Sequence, residues 1–312
     1  MSPYNLNETE SLLVCVACGT QFPTSDRNTL KTCLICDDPR QYIPPPQQSF
    51  TTLADIRSKH KNTFTPFPNN PSLISISTTP KLAIGQRAIL VKTPAGNILW
   101  DCLTLVDEDT VSEIKENHGG LHGIVISHPH YYSTHVEWAD AFNCPVYLAV
   151  EDKQWVVRTS EKQVFLDGGK TETPIEIGGV DTGIKVIKLG GHFPGSLTLL
   201  YSSNLLIADT LMTTPSAISN FSVNALSEPR TRPKGVNTYA FMWSIPNYIP
   251  LSANEIIRMW GILKEYDFAA TYGAFEWQNV EGDDVKGRVL QSMQIQTRYM
   301  GYGEHPFLHT LF

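Results

Sequence analysis

From residue 72 onward, short apolar runs alternate with turn residues. Residues 73–77, 88–92 and 98–102 are β-rich, and the Thr-Pro-Ala-Gly-Asn stretch at 93–97 supplies the turn between the last two. This predicts a β-meander. The period then changes: 109–117 reads as helical, 123–127 as a fully apolar strand, 133–142 as a helix and 146–150 as another strand. A second set of β segments at 184–189, 197–201 and 205–208 precedes a helix over 252–266 and a strand at 268–272. The order predicts an α/β protein in which two sheets pack together with helices outside, a four-layer αββα sandwich. Ahead of it, residues 41–50 (Gln-Tyr-Ile-Pro-Pro-Pro-Gln-Gln-Ser-Phe) form a stiff, proline-rich connector. The domain boundary is placed there, with residues 1–48 as a small N-terminal unit plus linker and 49–312 as the large domain.

Composition narrows the classes. Of 312 residues, 41% are hydrophobic and 18% charged, which suits one sizeable domain with a small appendage. With 31 acidic and 24 basic side chains the net charge is -7, so no overall positive field draws in phosphate backbones, and nucleic acid is not expected as a partner. No window approaches the roughly 20 apolar residues of a membrane span, and the early apolar run at 12–17 is too short for a signal-peptide core. A cytoplasmic protein with a small-molecule substrate is expected.

Four of the six cysteines are Cys15, Cys18, Cys33 and Cys36, two Cys-x-x-Cys pairs separated by fourteen residues. Each pair lets two thiolates converge on one ion, so the set reads as a structural four-cysteine zinc site in a zinc-ribbon-like knuckle, with Gly19 supplying a permissive turn. Cys102 and Cys144 lie in apolar runs and read as core residues.

In the large domain, His128-Pro-His130 directly follows an apolar strand, where a loop can aim both imidazoles at one point. His192 in Gly190-Gly-His-Phe-Pro-Gly195-Ser and Asp209 in Leu205-Leu-Ile-Ala-Asp209-Thr occupy similar strand ends. A carboxylate there is costly to bury without a partner.

This order of motifs resembles the metallo-β-lactamase superfamily of hydrolases, including its glyoxalase II-like and lactonase-like branches, over residues 72–280. The segment from Cys-Gly-Thr-Gln-Phe-Pro to Cys-x-x-Cys-x-Asp-x-Arg-Gln-Tyr also resembles the N-terminal extension of a subgroup of uncharacterised metallo-hydrolases. The resemblance implies that His128, His130 and His192 ligate a first metal and that Asp209 bridges toward a second. Two departures follow. The family's His-x-His-x-Asp-His pattern would place aspartate at 132 and histidine at 133, where this chain has Tyr132 and Ser133, and no histidine lies between His192 and His305. Three histidines and one carboxylate describe a single metal with a water position. His135 is the further candidate ligand, or a helix-surface or supporting histidine.

The expected chemistry is hydrolysis of a small-molecule ester, lactone, thioester or lactam by a metal-bound hydroxide, with Asp209 orienting or accepting from the water and Tyr131 or Tyr132 donating to the oxyanion. Zinc is the expected catalytic metal, with iron or manganese as alternatives. Two rival readings remain open: an iron-dependent redox enzyme on the same fold, and a catalytically weak or inactive binding protein.

Overall fold

The computed structural model describes residues 5, 8–44, 47–233 and 235–311. Pro45 and Pro46 of the connector lie outside them. Strands β1 (Leu13–Cys15) and β2 (Phe50–Thr52) pair antiparallel, with Cys15 opposite Phe50, and the short helix α1 (Leu53–Arg57) follows, capped by the Thr52 hydroxyl.

The first sheet has seven strands in sequence order: β3 (Lys61–Phe67), β4 (Asn70–Thr79), β5 (Ala88–Thr93), β6 (Gly96–Trp100), β7 (Gly123–Val125), β8 (Val146–Ala149) and β9 (Gln163–Leu166). Hairpins join β3 to β6 antiparallel, whereas β6 to β9 run parallel. The change occurs where crossovers begin, because parallel neighbours need a long return. Helix α2 (Glu108–Ser112), continued by a wider turn over Glu113–Asn117, links β6 to β7, and α3 (His135–Phe142) links β7 to β8.

The second sheet starts with β10 (Glu172–Ile177), β11 (Val180–Lys188), β12 (Leu197–Tyr201) and β13 (Asn204–Leu206). Two small hairpins follow, β14 (Met212–Thr213) with β15 (Tyr239–Ala240) and β16 (Met242–Ser244) with β17 (Ile249–Pro250). Helix α4 (Ala253–Leu263) leads to β18 (Ala270–Tyr272) and β19 (Asn279–Glu281), which complete the order β10-β11-β12-β13-β18-β19, and α5 (Val285–Tyr299) closes the fold.

Side-chain alternation sets the layers. On β12 and β13, Leu199 pairs with Leu206 and both join the core shared with the first sheet, while Leu200 pairs with Leu205 and both face the helices. The helical layer comes from Ile256, Met259, Trp260 and Leu263 of α4 and from Val285, Val289 and Met293 of α5. Each fully buried side chain of this kind contributes roughly 1.5–3 kcal/mol relative to exposure. Ser252 caps α4 by accepting from the Glu255 amide at 3.3 Å. Trp138 and Phe142 of α3 belong to the core of the first sheet. The result is the four-layer αββα sandwich expected from the sequence. No helix of the described residues is long and apolar enough to cross a membrane.

Candidate metal centres

The two Cys-x-x-Cys turns close on each other. All four thiols are buried and free of disulfides, and their sulfurs lie within 4.8 Å of one another. Cys15 Sγ is 3.7 Å from Cys36 Sγ, and Cys18 Sγ is 3.5 Å from Cys33 Sγ. Four sulfurs at about 2.3 Å from one tetrahedral ion would be about 3.8 Å apart, so the cage fits a zinc-sized cation. Hydrogen bonds from neighbouring thiols pull Cys15 far below the ordinary thiol range, and the same contacts push Cys18 and Cys36 upward. Gly19 closes the first turn at φ +79°, and a Cβ there would lie 1.9 Å from Thr104 Oγ1, so both backbone and packing require glycine.

The second centre is assembled from strand ends of both sheets. His128 and His130 follow β7, His192 lies in the β11–β12 loop, and Asp209 follows β13. Their donor atoms lie within 4.8 Å of one another and all four residues are buried. His130 Nδ1 is 3.2 Å from His192 Nε2. Asp209 Oδ2 is 3.4 Å from His128 Nε2, 3.7 Å from His192 Nε2 and 3.8 Å from His130 Nδ1. Nitrogens at 2.0–2.1 Å from a tetrahedral ion would be about 3.3 Å apart, so this set also fits one metal.

Outward hydrogen bonds fix how His128 and His192 face the centre. His192 Nδ1 donates to the Met242 carbonyl at 3.1 Å, which directs the Nε2 lone pair inward. His128 Nδ1 meets Ser127 Oγ at 2.9 Å, while the buried Nε2 has no hydrogen-bond partner among the described residues. Burial pushes His130 and His192 below the ordinary imidazole range, the neutral state that ligation requires. Burial alone would raise Asp209, but the surrounding histidines outweigh it and hold the carboxyl well below the usual range. Tyr131 donates to Asp209 Oδ1 at 2.8 Å, which fixes the carboxylate with Oδ2 toward the histidines. Burial and the Asp209 charge raise the Tyr131 phenol, so it stays a donor.

His135 and Tyr132 are placed differently. His135 Nδ1 contacts the Tyr132 carbonyl at 2.8 Å and Nε2 contacts Gln163 Nε2 at 2.7 Å, outside the four-donor group. Burial lowers its pKa to about 4. The buried Tyr132 hydroxyl has no hydrogen-bond partner among the described residues, and Tyr132 does not line the metal pocket. Ser133, at the position of the last histidine of the family's His-x-His-x-Asp-His pattern, is held by Gln86 Nε2 at 3.3 Å. His118 pairs with Glu113 at 3.2 Å, and His122 accepts from the Asn97 amide at 3.1 Å.

The sequence reading assigned no role to three supporting residues. Asp101, at φ +62° directly after β6, accepts from the Ser127 amide at 2.7 Å and holds the strand end that launches His128. Burial pushes its carboxyl up to about 7. Asp152 accepts from the Gly195 amide at 2.9 Å and anchors the far side of the His192 loop. Thr210, beside Asp209, donates to the Gly190 carbonyl and accepts from the His192 amide. Gly191 faces this hydroxyl at φ +89°, and a Cβ there would lie 2.4 Å from it.

A cavity of about 160 Å³ opens over three of the four donors, His130, His192 and Asp209. His130, Tyr131, His192 and Asp209 form its base, and Gln41, Tyr42, Lys81, Met212 and Phe275 are in its walls. A larger cleft of about 490 Å³, lined by Arg40, Lys188 and Arg258 among others, contains none of the donors, so chemistry rather than size selects the smaller cavity.

No family model matches this chain. The uncharacterized protein YmaE of Bacillus subtilis (strain 168) is 37% identical over 262 residues, spanning 84% of this chain and 88% of that protein. Solved structures similar to it include a metallo-β-lactamase from Pontibacter korlensis, at 12% identity over 75% of this chain and 99% of that one with a TM-score of 0.49. Another is the metallo-β-lactamase FIM-1 from Pseudomonas aeruginosa in its mono-zinc form, at 10% identity over 76% and 96% with a TM-score of 0.48. The fold itself rests on the sheet order, the packing of the two sheets and the strand-end donors described above. The chain belongs to the family of the Bacillus subtilis protein YmaE, and its two sheets and their helices form the metallo-β-lactamase fold.

Proposed function

We propose that the chain is a single-metal hydrolase acting on an ester, lactone, thioester or lactam of a small molecule, with zinc in the histidine–aspartate centre and a structural zinc in the cysteine cage. The observation that carries this reading is the convergence of three imidazole nitrogens and one carboxylate oxygen, within 4.8 Å of one another, beside a cavity that His130, His192 and Asp209 line. A divalent ion held there supplies Lewis acidity, lowering the pKa of a coordinated water toward about 7 and polarising a carbonyl.

The chain's own groups divide the remaining work. His128, His130 and His192 would hold the ion through their converging nitrogens. Asp209, ionised and aimed by Tyr131, would either complete the ligand set or accept a proton from water at Oδ2. Tyr131 therefore acts through Asp209, because its only proton is already committed to that carboxylate. The cavity of about 160 Å³ is below the usual 300–1,000 Å³ of ligand pockets, which favours a small substrate. Met212, Ile245 and Phe275 favour an apolar body on it. Slow turnover is expected, since Tyr132 stands where the family's water-holding aspartate would be and one preorganised contact is often worth about a hundredfold.

The test compares zinc-loaded and metal-depleted protein on p-nitrophenyl acetate, simple lactones, thioesters and lactams. Metal-dependent turnover on at least one class is expected. Its absence across the panel would move the reading to a binding protein, and a coloured, iron-containing preparation would move it to redox chemistry.

A further inference from the structure

The segment that leaves the cysteine cage, residues 38–42, does not run free toward the connector. The Arg40 guanidinium lies 4.5 Å from the centre of the Phe193 ring, 5.0 Å from Trp243 and 5.4 Å from Trp155, all within the roughly 6 Å reach of a cation–π contact. Its Nη1 donates at 2.8 Å to both carboxylate oxygens of Asp38, which also accepts from Trp155 Nε1 at 3.2 Å. The backbone is pinned as well. Ser244 Oγ donates to the Arg40 carbonyl at 3.1 Å, and Asn247 Nδ2 donates to the carbonyls of Pro39 and Gln41.

Phe193 connects this strap to the metal centre. It is fully buried, and its ring centre lies 4.9 Å from that of His130, 5.2 Å from His192 and 5.7 Å from His128. Arg40 therefore presses on one ring that touches all three histidines. The next two residues reach the cavity: Gln41 and Tyr42 line it with His130, His192 and Asp209. Tyr42 is 53% exposed. Among the described residues neither its hydroxyl nor the Gln41 amide group makes an internal hydrogen bond, so both tips are available to a bound molecule.

We infer that residues 38–42 are a working part of the large-domain centre: Arg40 is a positioning residue that braces the histidines through Phe193, and Gln41 and Tyr42 form a wall that meets the substrate. The cysteine cage anchors this strap two residues upstream of Asp38, so its integrity governs affinity at the second centre. The substrate contact deepens the hydrolase reading and rests on it, whereas the bracing of the histidines stands on metal binding alone.

The experiment titrates Co2+ into metal-depleted full-length protein and follows visible absorption, with thiolate bands reporting the cysteine cage and weaker d–d bands the histidine centre. Arg40→Ala is expected to weaken the histidine centre about tenfold, the scale on which outer partners of metal ligands act, and to leave the thiolate bands unchanged. Arg40→Lys should recover part of the loss by restoring a cation over Phe193. Cys33→Ser should weaken the same d–d centre. Tyr42→Ala and Gln41→Ala should leave both metal affinities unchanged, weaken benzohydroxamate binding to the Co2+ form several-fold and leave azide binding unaffected. Wild-type affinity at the histidine centre in both Arg40→Ala and Cys33→Ser, or unchanged benzohydroxamate binding in both wall variants, would overturn the inference. Should Arg40→Ala fail to fold, the exposed Tyr42→Ala variant decides. These shifts without any turnover by the wild type would refute hydrolysis and leave the strap standing.

Discussion

Replacing Tyr131 with Phe removes one hydroxyl from a fully buried ring and with it the 2.8 Å bond to Asp209 Oδ1. The acceptor is ionised, so the bond is worth about 1.5–3 kcal/mol, and the carboxylate oxygen loses its partner inside the fold. Only one oxygen's volume is lost, which keeps the cavity contribution small. With Asp209 as the fourth donor, that energy converts to a metal dissociation constant about 10- to 150-fold higher, in line with the roughly 10- to 100-fold effects of partners to metal ligands. Competition between protein and a chelator for Co2+ reads this, with the cysteine cage as internal reference. Tyr132→Phe is the control. Its buried hydroxyl has no partner among the described residues, so removing it should leave metal affinity unchanged and stability equal or slightly higher. Equal weakening in the two variants, or wild-type affinity in Tyr131→Phe, would refute the role given to Tyr131.

Three further outcomes are expected. His192→Ala should lose close to one metal equivalent by elemental analysis, and retention of that equivalent would show that the strand-end donors do not form the site. Cys33→Ser should lose the other equivalent and expose residues 8–44 to limited proteolysis while the large domain keeps its unfolding transition. An unchanged digest and metal content would argue against a cysteine-held ion. Gly19→Ala combines a left-handed backbone with a Cβ 1.9 Å from Thr104 Oγ1. It should cost about 2–4 kcal/mol in urea unfolding, part of which Thr104→Ala restores; a double variant no more stable than Gly19→Ala would remove the steric explanation.

Much of this fold was legible because its central strands are buried on both faces, so β7 and β13 read as continuous apolar runs. Helix α4 was legible from Ile256, Met259, Trp260 and Leu263 at helical spacing after Ser252. Strands β3 and β10 were missed: both are sheet edges, polar and interrupted by Pro66 and Pro174. Helix α5 was missed although Val285, Val289 and Met293 recur every four residues, since the polar side chains between them dilute the signal. Helix α3 begins at His135 rather than Ser133 because Ser133 sits at φ +44°. The four metal donors were visible as polar residues ending apolar strands. Asp101 carried the same signal and was overlooked, because its partner is a backbone amide, at Ser127, that carries no side-chain signature. The docking of the N-terminal segment was illegible for a different reason. It depends on pairs such as Thr9 with Glu137 and Arg40 with Ser244, far apart in sequence and without local periodicity.

The most direct test of the account is a stoichiometric titration. Protein carrying metal only in its cysteine cage is given Zn2+ in steps, and hydrolysis of the best substrate from the panel is measured at each addition. Turnover should rise linearly and stop rising at one added equivalent per chain. A break at two equivalents would contradict the single-metal centre, and a rate that never responds to zinc would contradict metal-dependent hydrolysis itself.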